Sequence, residues 1–137
     1  MYQVLTGGCL CGGVRYRYEG EVRDANYCHC EDCRRISGSA FGVSVPVDAA
    51  GFEIVRGEPK GYTKSGDSGR AVTRFFCPEC GSPLFTVPPL HPEVRFLKAG
   101  SLDDPSAVRP ARQSWTRSRV SWASIDPELP SFEKGRS

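Results

Sequence analysis

Long apolar runs are missing from this chain. No stretch approaches the roughly 18 consecutive apolar residues of a membrane-spanning helix, so no membrane contact is expected. Basic runs are missing too: the net charge is +2 and no tract of lysine or arginine occurs. Non-specific nucleic-acid binding needs several phosphate contacts at once, so nucleic acid is not an expected partner. The first residues, Met1-Tyr2-Gln3-Val4-Leu5-Thr6, lack the charged and apolar regions of a secretory signal, and a cytoplasmic location is expected. No repeat, heptad pattern or linker divides the 137 residues. One domain over 1–137 is therefore expected, with 132–137 a loosely held tail.

Cysteine, glycine and proline are abundant instead. Fifteen glycines and eleven prolines argue for many turns and few long helices. The segments between them alternate in polarity. Val14-Arg15-Tyr16-Arg17-Tyr18-Glu19 reads as a strand with one buried face. Phe41 to Val47 reads as another that ends near Pro46. Phe52–Gly57, Ala71–Phe76, Leu84–Val87 and Val94–Ala99 follow the same pattern, Ser114–Ala123 is a further candidate, and a short helical turn is expected after Cys30. Connections fall at Gly57-Glu58-Pro59, Ser65-Gly66-Asp67-Ser68-Gly69 and Pro88-Pro89-Leu90-His91-Pro92. Six or seven short strands joined by tight, metal-bearing turns make a small all-β domain.

The seven cysteines form three clusters: Cys9-Leu10-Cys11, Cys28-His29-Cys30-Glu31-Asp32-Cys33 and Cys77-Pro78-Glu79-Cys80. Thiols one or two residues apart are badly placed to bond each other and well placed to share a metal. Zinc takes four ligands, with sulfur at about 2.3 Å, and an odd cysteine count leaves one site short. The Cys77/Cys80 knuckle needs a second pair, and Cys9 and Cys11, flanked by glycines that let the chain bend, supply it in the preferred division. Cys28, Cys30 and Cys33 then form a site of three sulfurs with a position for water, substrate or another side chain. Spacing leaves other arrangements open. Cys9/Cys11 can pair with Cys28/Cys30, leaving the knuckle with Cys33, and His29 or His91 can complete the three-cysteine site. An iron–sulfur cluster has no matching spacing among the common ferredoxin patterns. His29, between two ligand cysteines, reads as a bystander.

Several longer motifs occur in order: Gly7-Gly8-Cys9-Leu10-Cys11-Gly12, Tyr27-Cys28-His29-Cys30-Glu31-Asp32-Cys33-Arg34, Ser37-Gly38-Ser39-Ala40-Phe41, Phe76-Cys77-Pro78-Glu79-Cys80-Gly81-Ser82-Pro83-Leu84 and Lys98-Ala99-Gly100-Ser101-Leu102-Asp103. Together with Trp115-Thr116-Arg117-Ser118-Arg119 and Pro130-Ser131-Phe132-Glu133-Lys134, they closely resemble the glutathione-dependent formaldehyde-activating enzymes, the centromere protein V/GFA domain family. The resemblance implies an all-β, Mss4-like fold with two zinc ions. It implies that Cys9, Cys11, Cys77 and Cys80 hold a structural zinc, and that Cys28, Cys30 and Cys33 hold a catalytic one. It also implies a carbon–sulfur lyase, named for the reverse of condensing glutathione with formaldehyde to S-(hydroxymethyl)glutathione. The expected partners are a small thiol and an aldehyde, and a homodimer is compatible with this reading. Arg34, Arg35, Arg117 and Arg119 are candidates to bind a carboxylate or steady an alkoxide, and Phe41 and Trp115 to wall the pocket. The competing expectations are a non-catalytic zinc module for a protein or nucleic-acid partner, and a zinc-poised thiol sensor or metal carrier.

Overall fold

A computed structural model describes residues 1–65 and 69–135. Among them the chain forms ten strands, one α-helix and four short 3-10 turns. The strands are β1 (Tyr2–Gly8), β2 (Arg15–Glu21), β3 (Ala25–Cys28), β4 (Gly42–Asp48), β5 (Phe52–Arg56), β6 (Lys60–Ser65), β7 (Ala71–Phe76), β8 (Pro83–Val87), β9 (Val94–Lys98) and β10 (Pro110–Ser114). The helix α1 spans Glu31–Ser37. The fold is thus mostly β, as the alternation predicts.

Two sheets result. One has the order β1-β2-β5 and the other β10-β3-β4-β9-β8-β7-β6. Neighbours run antiparallel except β10, which lies parallel to β3. The period of two in β2 buries Tyr16 and Tyr18 while Arg15 and Arg17 face outward. An aromatic stack then ties the sheets together. Tyr16 meets Phe52 at 5.6 Å, Phe52 meets Phe85 at 4.8 Å, and Phe85 stacks on Phe75 at 4.7 Å between ring centroids. Each such pair adds about 1 kcal/mol beyond its buried area. Val45, Val47, Leu84 and Leu97 fill the remaining core.

Some sequence expectations need correction. Pro46 does not end its strand: β4 continues to Asp48, and Pro46 pairs with Phe96 of β9. The ladder from β4 to β3 stops at Ser44 and that side is next bridged only at Val47, to Val22, so Pro46 falls in an interval where a residue without an N–H fits. No strand covers 115–123. The strand lies earlier, at β10, and Trp115 turns the chain with φ 58°, the single positive-φ residue other than glycine among those described. Nor do residues 132–134 hang loose. The Thr116, Trp115 and Arg117 amides donate to the carbonyls of Phe132, Lys134 and Glu133, and the Phe132 amide donates to Gln113. The last two tail residues, and the centre of the expected Ser65–Gly69 connection, lie outside the described residues. No described helix is long and apolar enough to cross a membrane.

Candidate functional site

The cysteines meet in two groups. The sulfurs of Cys9, Cys11, Cys77 and Cys80 lie within 4.8 Å of one another, and so do those of Cys28, Cys30 and Cys33. All seven are free thiols. The fold builds the division preferred from spacing, and the alternative pairing of Cys9/Cys11 with Cys28/Cys30 is not formed.

Tight turns assemble the first group. In the loop after β1, the Gly12 amide donates to the Cys9 carbonyl at 3.1 Å, and Gly13 and Val14 aim their amides at the Cys11 and Cys9 sulfurs at 3.4 and 3.2 Å. In the turn between β7 and β8, the Gly81 amide donates to the Cys77 carbonyl at 2.8 Å, with Gly81 at φ 79°, a conformation that favours glycine. Ser82 joins the two loops, accepting from the Leu10 amide at 3.0 Å and contacting the Cys80 sulfur at 3.2 Å. Cys9 and Cys11 sulfurs are 3.5 Å apart, and Cys11 and Cys77 are 3.8 Å apart. A tetrahedron with zinc–sulfur legs of 2.3 Å has edges of about 3.8 Å, so the donors fit such an ion.

The protonation of this group points the same way. The Ser82 hydroxyl, with the Ser82 and Cys11 amides, draws the Cys80 thiol down to about 5. Cys11 goes up to about 12: the Gly13 amide favours its thiolate, but Cys9, Cys77 and Cys80 beside it prevail. Thiolates crowded this closely oppose one another's ionisation. A divalent cation removes that conflict.

The second group is local. Cys28 ends β3, Cys30 caps α1, and Cys33 lies buried in its first turn. The Cys30 sulfur accepts from the Cys33 amide at 3.3 Å, taking the place of an N-cap hydroxyl. Glu31 and Asp32 follow where the helix dipole favours negative charge, and Gly38 closes the helix at φ 67°. All three thiols sit above the ordinary thiol range. Cys28 is raised chiefly by the Cys30 thiol and Cys33 by the Cys28 thiol. At Cys30 the contact with Cys28 works downward but is outweighed by Cys33 and burial.

Neither histidine joins a cluster among the described residues. His29 is fully buried and turns away. Its Nε2 lies 3.0 Å from Gln113 Oε1, and Gln113 Nε2 donates to Ser131 Oγ. Gln113 therefore presents its carbonyl oxygen to His29, and the imidazole carries its proton on Nε2. His91 is exposed and contacts Glu93.

A cavity of about 710 Å³ opens beside the first group, with Cys9 on its wall. Leu10, Phe41 and Pro83 supply apolar wall, and Ser37, Ser39 and Ser101 supply hydroxyls. The three sulfurs of the second group do not line it, but Gly42 does. The position of a Cβ on Gly42 would lie 3.7 Å from Cys33 Sγ and 3.8 Å from Lys98 Nζ. Of the substrate-contact candidates, Phe41 lines this cavity and also a second one of about 630 Å³. Its ring meets Tyr27 and His29 edge-on. Arg34 lies on α1, Trp115 precedes a 3-10 turn, and Arg117 and Arg119 are exposed. Those four line neither cavity. Lys98, Ser101 and Arg15, on the wall, carried no ligand assignment from sequence. The signal available was the Lys98–Asp103 motif itself.

The cavity rim is braced by Asp103. Arg15 donates to both of its carboxylate oxygens, one at 2.9 Å, and Thr6 donates at 2.7 Å. These bonds, Arg15's first, hold the carboxyl at about 2 instead of 3.8. A carboxylate depressed on folding stabilises the native state above its unfolded pKa and loses that contribution as pH falls from about 4 toward 2. Both side chains are partly exposed, 33% and 46%, so the contribution is about 1 kcal/mol or less. Asp103→Asn is therefore expected to lower the melting temperature by a few degrees at neutral pH, with the gap from wild type closing below about pH 3. Subtracting the two profiles removes the acid loss of metal common to both proteins. A gap that does not vary with pH would contradict the assignment.

Comparison with known proteins places this geometry. The family model described as glutathione-dependent formaldehyde-activating enzyme matches residues 4–118. A Halomonas elongata protein with the provisional name of a glutathione-dependent formaldehyde-activating enzyme is 28% identical over 134 residues, covering 90% of this chain and 82% of the relative. A Rhodobacter sphaeroides crystal structure superposes with a TM-score of 0.57 at 18% identity, covering 93% of this chain and 98% of that one. The latter likeness is one of fold.

Proposed function

The chain belongs to the glutathione-dependent formaldehyde-activating enzyme family, and from that premise we propose that it condenses a small thiol, glutathione or similar, with formaldehyde or another aldehyde. The observation that carries this is the asymmetry of the two cysteine groups. One offers four sulfurs and the other three, and the three-sulfur group is separated by Gly42, whose Cβ position lies 3.7 Å from Cys33 Sγ, from a cavity large enough for a peptide-sized thiol. We assign zinc to both, with Cys9, Cys11, Cys77 and Cys80 structural and Cys28, Cys30 and Cys33 catalytic.

Bound by three thiolates, zinc supplies acidity to an incoming thiol. The chain's own residues do the rest. Gly42 brings bare backbone up to Cys33, where even a Cβ would lie 3.3 Å from the Cys33 Cβ. Half-buried Phe41 and Pro83 give the cavity apolar wall. The thiolate sulfur attacks the aldehyde carbon, a carbon–sulfur bond forms, and the carbonyl π pair moves onto oxygen. Serine hydroxyls on the wall can donate to that alkoxide, which takes up one proton to give a hemithioacetal, while the thiol proton leaves to solvent. The reverse reaction is the carbon–sulfur lyase. We place the reaction in the cytoplasm, where a diffusible thiol is met.

Because thiols add formaldehyde unaided, the test is exchange at equilibrium. Magnetization transfer between free formaldehyde hydrate and S-(hydroxymethyl)glutathione should accelerate in proportion to metal-loaded protein. No acceleration above the protein-free rate, at any protein concentration, would refute the reading.

A further inference from the structure

Two cations line the 710 Å³ cavity, and they are not equivalent. Arg15 is neutralised by its two-pronged contact with Asp103. Lys98 donates to Ser44 Oγ at 3.3 Å, and among the described residues no carboxylate pairs with it. An ammonium has three protons to donate, so most of its capacity is unspent. The charge it faces across Gly42 is that of the Cys33 sulfur, and a half-buried cation with no carboxylate partner still favours an anion entering the cavity.

Its position is set by the sheet. Lys98 ends β9 opposite Ser44 of β4, and Ser44 and Gly42 share a face of β4 because they are two residues apart. The lysine therefore runs along β4 past Ser44 to the bare backbone of Gly42, with Cys33 beyond. Ammonium and sulfur each lie within 4 Å of the single point that a Gly42 side chain would occupy. One small molecule can reach both.

We propose that Lys98 is a substrate-positioning residue, whose ammonium binds a carboxylate of the thiol substrate and thereby holds the substrate on the side of the cavity that faces Gly42 and Cys33. This deepens the thiol–aldehyde reading and relies on it for what the sulfur then does; the carboxylate contact itself does not depend on catalysis. The substrate class that follows is the carboxylate-bearing thiols, with amino thiols and esterified thiols disfavoured. A competing role is that Lys98 merely offsets the charge of the thiolate cluster, since its field also acts on Cys33.

S-methylglutathione separates these roles, because it keeps both carboxylates and has no thiol to meet a metal. Titrated into isotope-labelled, metal-loaded protein and followed by amide chemical shifts, it should bind the wild type and Lys98→Arg similarly. It should bind Lys98→Met about tenfold more weakly, the scale of one charge-assisted hydrogen bond. Its diethyl ester should bind the wild type as weakly as the acid binds Lys98→Met, an arm that needs no variant. In turnover, Lys98→Met should raise KM for glutathione more than it lowers kcat, with Lys98→Arg restoring KM. Equal binding of acid and ester, or undiminished binding by Lys98→Met accompanied by lost metal, would overturn the proposal. Lys98-dependent binding without any catalysis would uphold the carboxylate contact and sink the reaction instead.

Discussion

Replacing Cys77 with alanine should yield a chain that does not fold. Cys77 is 1% exposed, belongs to the core, and sits where β7 enters its turn. Its sulfur groups with Cys80 from the same turn and with Cys9 and Cys11 from the loop after β1. A metal there would fasten the edge of the three-stranded sheet to the seven-stranded one. Structural zinc contributes about 10–16 kcal/mol of apparent folding free energy in small domains, against a total stability of about 5–15 kcal/mol. Losing one of four ligands therefore removes more than the remaining contacts can supply. The expected outcome is insoluble protein or the loss of a cooperative circular-dichroism melt, reproduced in the wild type by a strong chelator. Soluble Cys77→Ala that melts normally would show that this group has no structural role.

At the other group the expected result is inverted: Cys30→Ser should keep the fold and lose the reaction. The Cys30 sulfur accepts the Cys33 amide and so caps α1. Serine is among the best N-caps, so the helix start survives, whereas alanine would cost about 1 kcal/mol. A serine hydroxyl is a poor substitute for thiolate toward zinc. Metal content should fall by one ion per chain with the melting temperature nearly unchanged. Catalysed exchange should fall by at least about a hundredfold, since several kcal/mol of stabilisation are removed and each 1.36 kcal/mol is tenfold in rate. Retained activity with one metal lost would relocate the chemistry. A protein that unfolds would make this group structural as well.

How far the sequence could be read depended on where its hydrophobic contrast was strong. Tyr16 and Tyr18 alternate with arginines, and β2 follows; Ala71–Phe76 was legible to its ends. β6, Lys-Gly-Tyr-Thr-Lys-Ser, is exposed throughout and held at the sheet edge by β7 alone, so no buried face could announce it. β3 has four residues, too few to show a period. The Ser114–Ala123 stretch misled because alternation cannot register a backbone reversal such as that at Trp115. The cysteine groups were legible because ligand spacing is local chemistry. Lys98 was hidden because its meaning depends on Gly42 and Cys33, which reach it only through the pairing of β4 with β9.

The parallel pairing of β10 with β3 carries a further consequence, for the order of folding. Asn26 of β3 donates to Ser114, 88 residues later, and the His29 amide donates to the carbonyl of the same serine. A growing chain has every cysteine in hand once Cys80 emerges, yet β3 still lacks this neighbour. Contacts so distant in sequence form slowly. The three-sulfur loop should therefore be able to capture its ion early and hold it on an unfinished edge. Residues 110–134 would then close over a nascent chain that is already metallated.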